Sequence, residues 1–185
     1  MKNLLLTFLM FVTLSTFSQS STWIPVVIEE GKDMEYLAFE KNWMSINKAL
    51  IDAGYRTGWS VWKRTPKDGD DGWAQYYVVV GNNDEMQLSQ EEWAPFMQKA
   101  LGKSQRAISK MMDGSGIIAE ARPLQISWVG GTVYAGNSIK RGDKMYFHYM
   151  TQQNENFEEL ELNVWQPIAE EQILEGTRKF WGLAK

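Results

Sequence analysis

Apolar residues along this chain fall into two rhythms, alternation by twos and recurrence by threes and fours. Residues 22–30 (TWIPVVIEE) are rich in β-branched side chains and read as a strand; Pro25, which lacks an N–H, points to an edge position or the start of pairing. Gly31 and Lys32 supply a turn, and Asp33 is an N-cap for a helix reaching about Ala53. Within that helix Tyr36, Phe39, Trp43, Ile46 and Leu50 form one apolar stripe, and Gly54 ends it as a left-handed C-cap. Residues 57–64 (TGWSVWKR) and 74–81 (AQYYVVVG) follow as the strands of a hairpin, joined by Pro- and Gly-bearing turn chemistry at 66–72. The run from Tyr76 through Tyr77 to Val80 is apolar at every position, which calls for cover on both faces of the sheet.

Ser89 with Glu92 is a capping box opening a second helix to about Leu101; Gly102 breaks it before a shorter helix over 104–112. After a loop at 113–116, residues 124–129 (LQISWV) form a fourth strand. The order β-α-β-β-α-β predicts an α+β, ferredoxin-like unit.

A pattern then recurs. W-x2-I-x4-I-x2-G-x-R-x2-W fits Trp43, Ile46, Ile51, Gly54, Arg56 and Trp59, and fits again 122 positions later at Trp165, Ile168, Ile173, Gly176, Arg178 and Trp181. Residues 144–151 (KMYFHYMT) match the first strand and 156–174 the first helix, with one inserted residue needed before Trp165. A repeat of this length is a supersecondary unit built twice. The chain thus reads as a signal peptide (1–18), a complete unit (19–129), a Gly-rich linker (130–143) carrying Asn137 and Ser138, and a partial β-α-β second copy (144–185). The half-finished copy leads us to expect a truncated reading frame or a partner chain that completes the sheet, and its unpaired strand edge predicts a homodimer.

Lys2, an apolar run from Leu4 to Leu14 and the small residues Thr16 and Ser18 make a secretory signal with cleavage after Ser18. The run is too short to span roughly 30 Å of hydrocarbon. No cysteine is present, which excludes disulfides, thiolate metal sites and a cysteine nucleophile. A periplasmic or secreted protein with no transmembrane segment in its mature form is expected. Loss of Lys2 with the leader moves the net charge from -4 to -5, and a pI near 5.1 argues against nucleic-acid partners, which are bound through basic clusters.

Residues Tyr36 to Trp62 and Phe157 to Trp181 resemble the helix–glycine–strand core of uncharacterised secreted bacterial proteins with tandem dimeric α/β-barrel domains, a superfamily that includes the antibiotic-biosynthesis monooxygenase type. The resemblance covers nearly the whole mature chain and is weakest between Met86 and Gly116. It implies sheets with helices on one face and a neighbouring sheet on the other, and a small-molecule cavity between sheet and helices. Two departures stand out. Members often carry histidine straight after the Ile, where this chain has Asn47 and Ala169, and they tend to contain two full units.

The candidate chemistry is sparse. Trp43, Trp59, Trp165 and Trp181 serve as core or as walls of an aromatic-lined pocket, to which Asn47 and Tyr77 also belong as ligand-binding candidates. Arg56 and Arg178 either sit solvated beside a helix C-terminus or bind a carboxylate or phosphate. His148, the sole histidine, is structural or a general base for a cofactor-free oxygenase; alone it makes neither a triad nor a multi-histidine metal site. Asp68, Asp70 and Asp71 lack the spacing and terminal Glu of an EF-hand, and no glycine run has a phosphate-loop lysine. No cofactor or metal is expected.

These observations predict an exported protein that binds a small apolar or aromatic molecule in an α/β-barrel cavity. A cofactor-independent monooxygenase or a purely structural assembly domain are the alternatives. Expression in a Gram-negative host should yield periplasmic protein whose N-terminus, read by mass spectrometry, is Gln19; cytoplasmic protein retaining Met1 would defeat the export reading.

Overall fold

The computed structural model describes residues 20–67, 69, 72–132, 134–135 and 139–185. The signal peptide with its cleavage point, the acidic positions Asp68, Asp70 and Asp71, and linker residues Asn137 and Ser138 lie outside the described residues.

Strand β1 (Ser20–Ile28) leads into α1 (Asp33–Asp52), then the hairpin β2 (Arg56–Lys63) and β3 (Tyr76–Asn82). Helices α2 (Gln90–Leu101) and α3 (Gln105–Met111) follow, then β4 (Ile118–Ala121) and β5 (Leu124–Gly131). The antiparallel sheet runs β2-β3-β1-β5, with β4 beside β5 on β1. That spatial order, with helices after β1 and β3, is the ferredoxin-like fold the element pattern predicts.

Local chemistry sets the ends of the elements. Gly54 has φ +84°, a left-handed value that favours glycine, and caps α1. Ser89 and Glu92 form the expected reciprocal box at the start of α2, and Gly102, at φ +61°, separates it from α3. Asp33 is not the N-cap of α1. Lys32 holds that position, and the Asp33 carboxylate is taken up by Lys63 and Tyr76 instead.

Pro25 is likewise not at an edge, since β1 is the central strand. Its carbonyl accepts from Arg122 N–H at 3.2 Å, so the side of Pro25 that lacks a donor faces the break between β4 and β5. Pro123 supplies no donor there either. Two prolines thus meet where the ladder is already interrupted, which is how β1 tolerates one at its middle. Strand β4 was not legible in advance: four residues before Arg122-Pro123 are too short to show alternation.

Side chains alternate across the sheet. One face presents Val26, Ile28, Tyr76, Val78 and Val80 to Tyr36 and Phe39 of α1. Beyond it, Ile46 and Leu50 of α1 pack with Met97 of α2 and Ile108 of α3. Trp43 touches both clusters. The opposite face carries Trp23, Trp62, Tyr77 and Val79, all half-buried.

Residues 144–151, expected as a strand, pair with none. Strand β1 is held by β3 on one side and β4 and β5 on the other, and no described residue gives residues 144–151 such neighbours. The segment crosses the open face instead. Phe147 meets the Trp23 ring edge-on at 4.6 Å and stacks on Tyr77 at 5.9 Å, so that face gains partial cover.

The second long helix comprises α4 (Phe157–Leu160), a π-helical turn (Glu161–Trp165) and α5 (Gln166–Leu174). The short strand β6 (Gly182–Ala184) then extends the sheet beyond β5. The π turn ends at Trp165, the residue before which the sequence match needs one inserted position. Glu161 and Ala169 are the buried positions of this helix, as Glu40 and Asn47 are among those of α1.

Gly130 is where the helix docks on the sheet: a Cβ there would stand 2.3 Å from Leu162 Cδ2. Gly130→Ala should destabilise the protein by about 1–3 kcal/mol in urea unfolding, the usual cost of overpacking, and Leu162→Ala should relieve part of that loss. An unchanged urea midpoint would show that the helix does not dock at Gly130.

Candidate functional site

Because α1 lies across the sheet with its stripe turned inward, its flank and edge strand β2 leave a seam with two concavities. The larger, about 400 Å³, is lined by Asp33, Met34, Leu37, Val61, Lys63 and Tyr76. The second, about 300 Å³, is lined by Met44, Asn47, Lys48, Ile51 and Trp59. Trp59, Val61 and Lys63 contribute to the seam because alternate residues of β2 share the helix-bearing face. Met34 and Leu37 show apolar surface there, Met34 being 75% exposed.

The larger cleft has a polar end. Asp33 Oδ1 accepts from Lys63 Nζ at 2.6 Å and from the Tyr76 hydroxyl at 2.6 Å, and Lys63 Nζ lies 5.4 Å from the Tyr76 ring centre. The bond from Lys63, then that from Tyr76, holds the Asp33 carboxyl below its ordinary range. The same bond to Asp33 raises Lys63. Burial, and then donation to Asp33, raises the Tyr76 phenol. All three groups are therefore fixed in their ordinary charge states at neutral pH. That suits orienting a bound molecule and makes Asp33 a weak base.

Behind the cleft is a buried acid. Glu40 is only 6% exposed, and burial lifts its carboxyl to about 7. One turn earlier on α1, the Tyr36 hydroxyl is buried and, among the described residues, meets no partner at full hydrogen-bonding geometry. Interaction with the Tyr36 hydroxyl lowers the Glu40 carboxyl, but burial outweighs it. Burial first, and then the Glu40 charge, push the Tyr36 phenol far above its ordinary range. The Tyr36 and Tyr76 rings lie 4.6 Å apart, so the acid is one aromatic layer from the Asp33 cluster.

The sequence candidates separate into three groups. Trp43, Asn47, Arg56 and Trp59 come together at the C-terminal half of α1. There Asn47 Nδ2 donates to the Trp43 carbonyl at 2.8 Å, and Arg56 donates a short bond to Asn47 Oδ1. Of this set, Asn47 and Trp59 line the smaller cleft. Burial lowers the Arg56 guanidinium, which nevertheless stays charged at any physiological pH. Tyr77 and His148 lie away from both clefts, with Tyr77 under Phe147 on the opposite face and His148 exposed. Trp165, Arg178 and Trp181 form the third group. Arg178 Nε donates to Gln172 at 2.9 Å, the Trp181 backbone bonds Thr132, and Trp165 is 55% exposed. None of these five lines either cleft.

Sequence reasoning did not single out Asp33, Lys63, Tyr76 or Glu40 as site residues. A signal for Glu40 was available: it falls four residues after Tyr36, on the apolar stripe, where a carboxyl has to be buried. The Asp33–Lys63–Tyr76 contact is long-range and leaves no local trace.

Among the described residues no group of three or more His, Cys, Asp or Glu is placed to hold a metal ion, and no helix is long and apolar enough to cross a membrane. No family model matches the chain, and no curated protein does. Among solved structures, it is similar to a dimeric ferredoxin-like protein of unknown function from Thermobifida fusca YX. That match has 8% identity, covers 58% of this chain and 88% of the other, and has a TM-score of 0.35.

Glu40 yields a pH prediction. Its folded value exceeds the unfolded one, near 4.5, so the folded state holds the extra proton and stability falls as pH rises from about 4.5 through about 7. Glu40→Gln removes that penalty. Relative to wild type, the variant should gain on the order of 3 kcal/mol between pH 5 and pH 8 in denaturant unfolding. A constant difference across that range would mean that Glu40 does not titrate as a buried acid.

Proposed function

We propose that this is an exported protein that binds a small apolar or aromatic molecule in the seam between α1 and β2. The observation that carries the reading is the cleft of about 400 Å³, with Met34, Leu37 and Val61 as walls and the hydrogen-bonded Asp33, Lys63 and Tyr76 at one end. Small-molecule sites typically combine apolar walls with a few fixed polar groups. Trp59 in the neighbouring concavity supplies an aromatic surface and an optical reporter.

Binding is better supported than catalysis. Asp33 is held ionised and is a weak base, while Glu40, whose value suits proton transfer, is buried and lines neither cleft. His148, the base a cofactor-free oxygenase would use, is exposed on the segment that crosses the other face of the sheet. We also propose that residues 144–185 are a partial second copy of the first unit and that the protein is a homodimer.

Titration with a panel of aromatic and lipid-like compounds, followed by tryptophan fluorescence, should find binders in the micromolar range. Leu37→Asp, an exposed change that spares the core, should weaken them at least tenfold, about 1.4 kcal/mol. If no compound binds, or if Leu37→Asp binds as wild type does, the seam is not the site.

A further inference from the structure

The α4–α5 helix carries an apolar line that the described chain leaves open. Leu160, Val164 and Ile168 follow one another at four-residue spacing with Trp165 beside them, and all four are exposed. The matching face of α1 is closed. Ile46, the counterpart of Ile168, is 0% exposed against 39%, because it packs with Met97 of α2 and Ile108 of α3. One helix face thus has a helical cover in the first unit and none in the second.

Charge indicates what can cover it. Glu171 and Glu175 continue the apolar line at spacings of three and four, and Glu158, Glu159, Glu161 and Glu170 share the helix; from 157 to 175 there is no lysine or arginine. Two such helices repel each other. From the last turn of α2 through α3, past the acidic start of α2 at Glu91 and Glu92, the character is opposite. Lys99, Lys103, Arg106 and Lys110 are all exposed, and none makes a salt bridge among the described residues. Half-buried Leu101 and Met111 on the same helices offer apolar contact.

We propose that the α4–α5 face docks on the basic α2–α3 surface of a second copy of this chain. Every copy owns both surfaces, so a two-fold arrangement makes the contact twice and closes on itself. Opposite charges steer the encounter, and the apolar line around Trp165 supplies the buried centre. The proposal rests on the homodimer and repeat readings above, and names the surface that joins the copies.

Sedimentation equilibrium of the purified protein at low and high salt tests it. The wild type should be a dimer that weakens with salt. E171K/E175K should raise its dissociation constant at least tenfold, K103E/R106E should do the same, and the two sets combined in one chain should restore it. Trp165→Asp should dissociate the dimer while far-UV circular dichroism stays that of the wild type and the thermal midpoint matches that of the dissociated E171K/E175K variant. A monomeric wild type would overturn the homodimer itself. A dimer indifferent to both charge sets and to Trp165→Asp would overturn only this interface. Loss of the dimer without restoration in the combined variant would overturn α2–α3 as the receiving surface.

Discussion

The packing of Tyr36 on Tyr76, ring centres 4.6 Å apart, is the contact on which the remaining structure hangs. It seats α1 on the centre of the sheet, with Phe39 and Trp43 continuing the aromatic layer along the helix. Once α1 is held there, its flank overhangs β2 and the clefts along that seam follow. The same contact brings a strand hydroxyl to Asp33 and encloses the Glu40 carboxyl, so the polar end of the larger cleft and the buried acid behind it share one origin. Broad aromatic rings suit this role because they bury much surface while placing a polar tip where a partner waits.

The two faces of the sheet are treated unequally. One is covered by α1, with α2 and α3 packed on the far end of that helix, whereas the other has the extended 144–151 segment across Trp23 and Tyr77. Trp23 shows the compromise: its indole N–H is buried and has no acceptor among the described residues, while its ring meets Phe147 edge-on.

Legibility in the sequence tracked locality. The helices, their glycine ends, the capping box at Ser89 and the hairpin are written in short-range chemistry, and the β-α-β-β-α-β order followed from them. Features decided by distant partners were misread or missed. Pro25 resembles an edge residue because its own side chain says nothing of the gap at Pro123, and Asp33 resembles a cap because Lys63 is 30 positions away. Residues 144–151 have every local mark of a strand, yet pairing needs neighbours that local sequence does not supply. The site was half visible. Trp43, Asn47, Arg56 and Trp59 do converge, but the residues lining the larger cleft meet only through tertiary contact.

The π turn at Glu161–Trp165 has a consequence for how a helix of this fold can change length. The buried Glu40 and Asn47 stand seven apart in α1; the buried Glu161 and Ala169 of the later helix stand eight apart. A plain α-helix would answer an added residue by turning everything after it about 100°. Locally wider winding absorbs the addition, and both ends keep the sides they face. A strand has no such slack, because one extra residue either bulges out or reverses every side chain beyond it. In a fold of this kind the helices can therefore drift in length while the sheet must keep count.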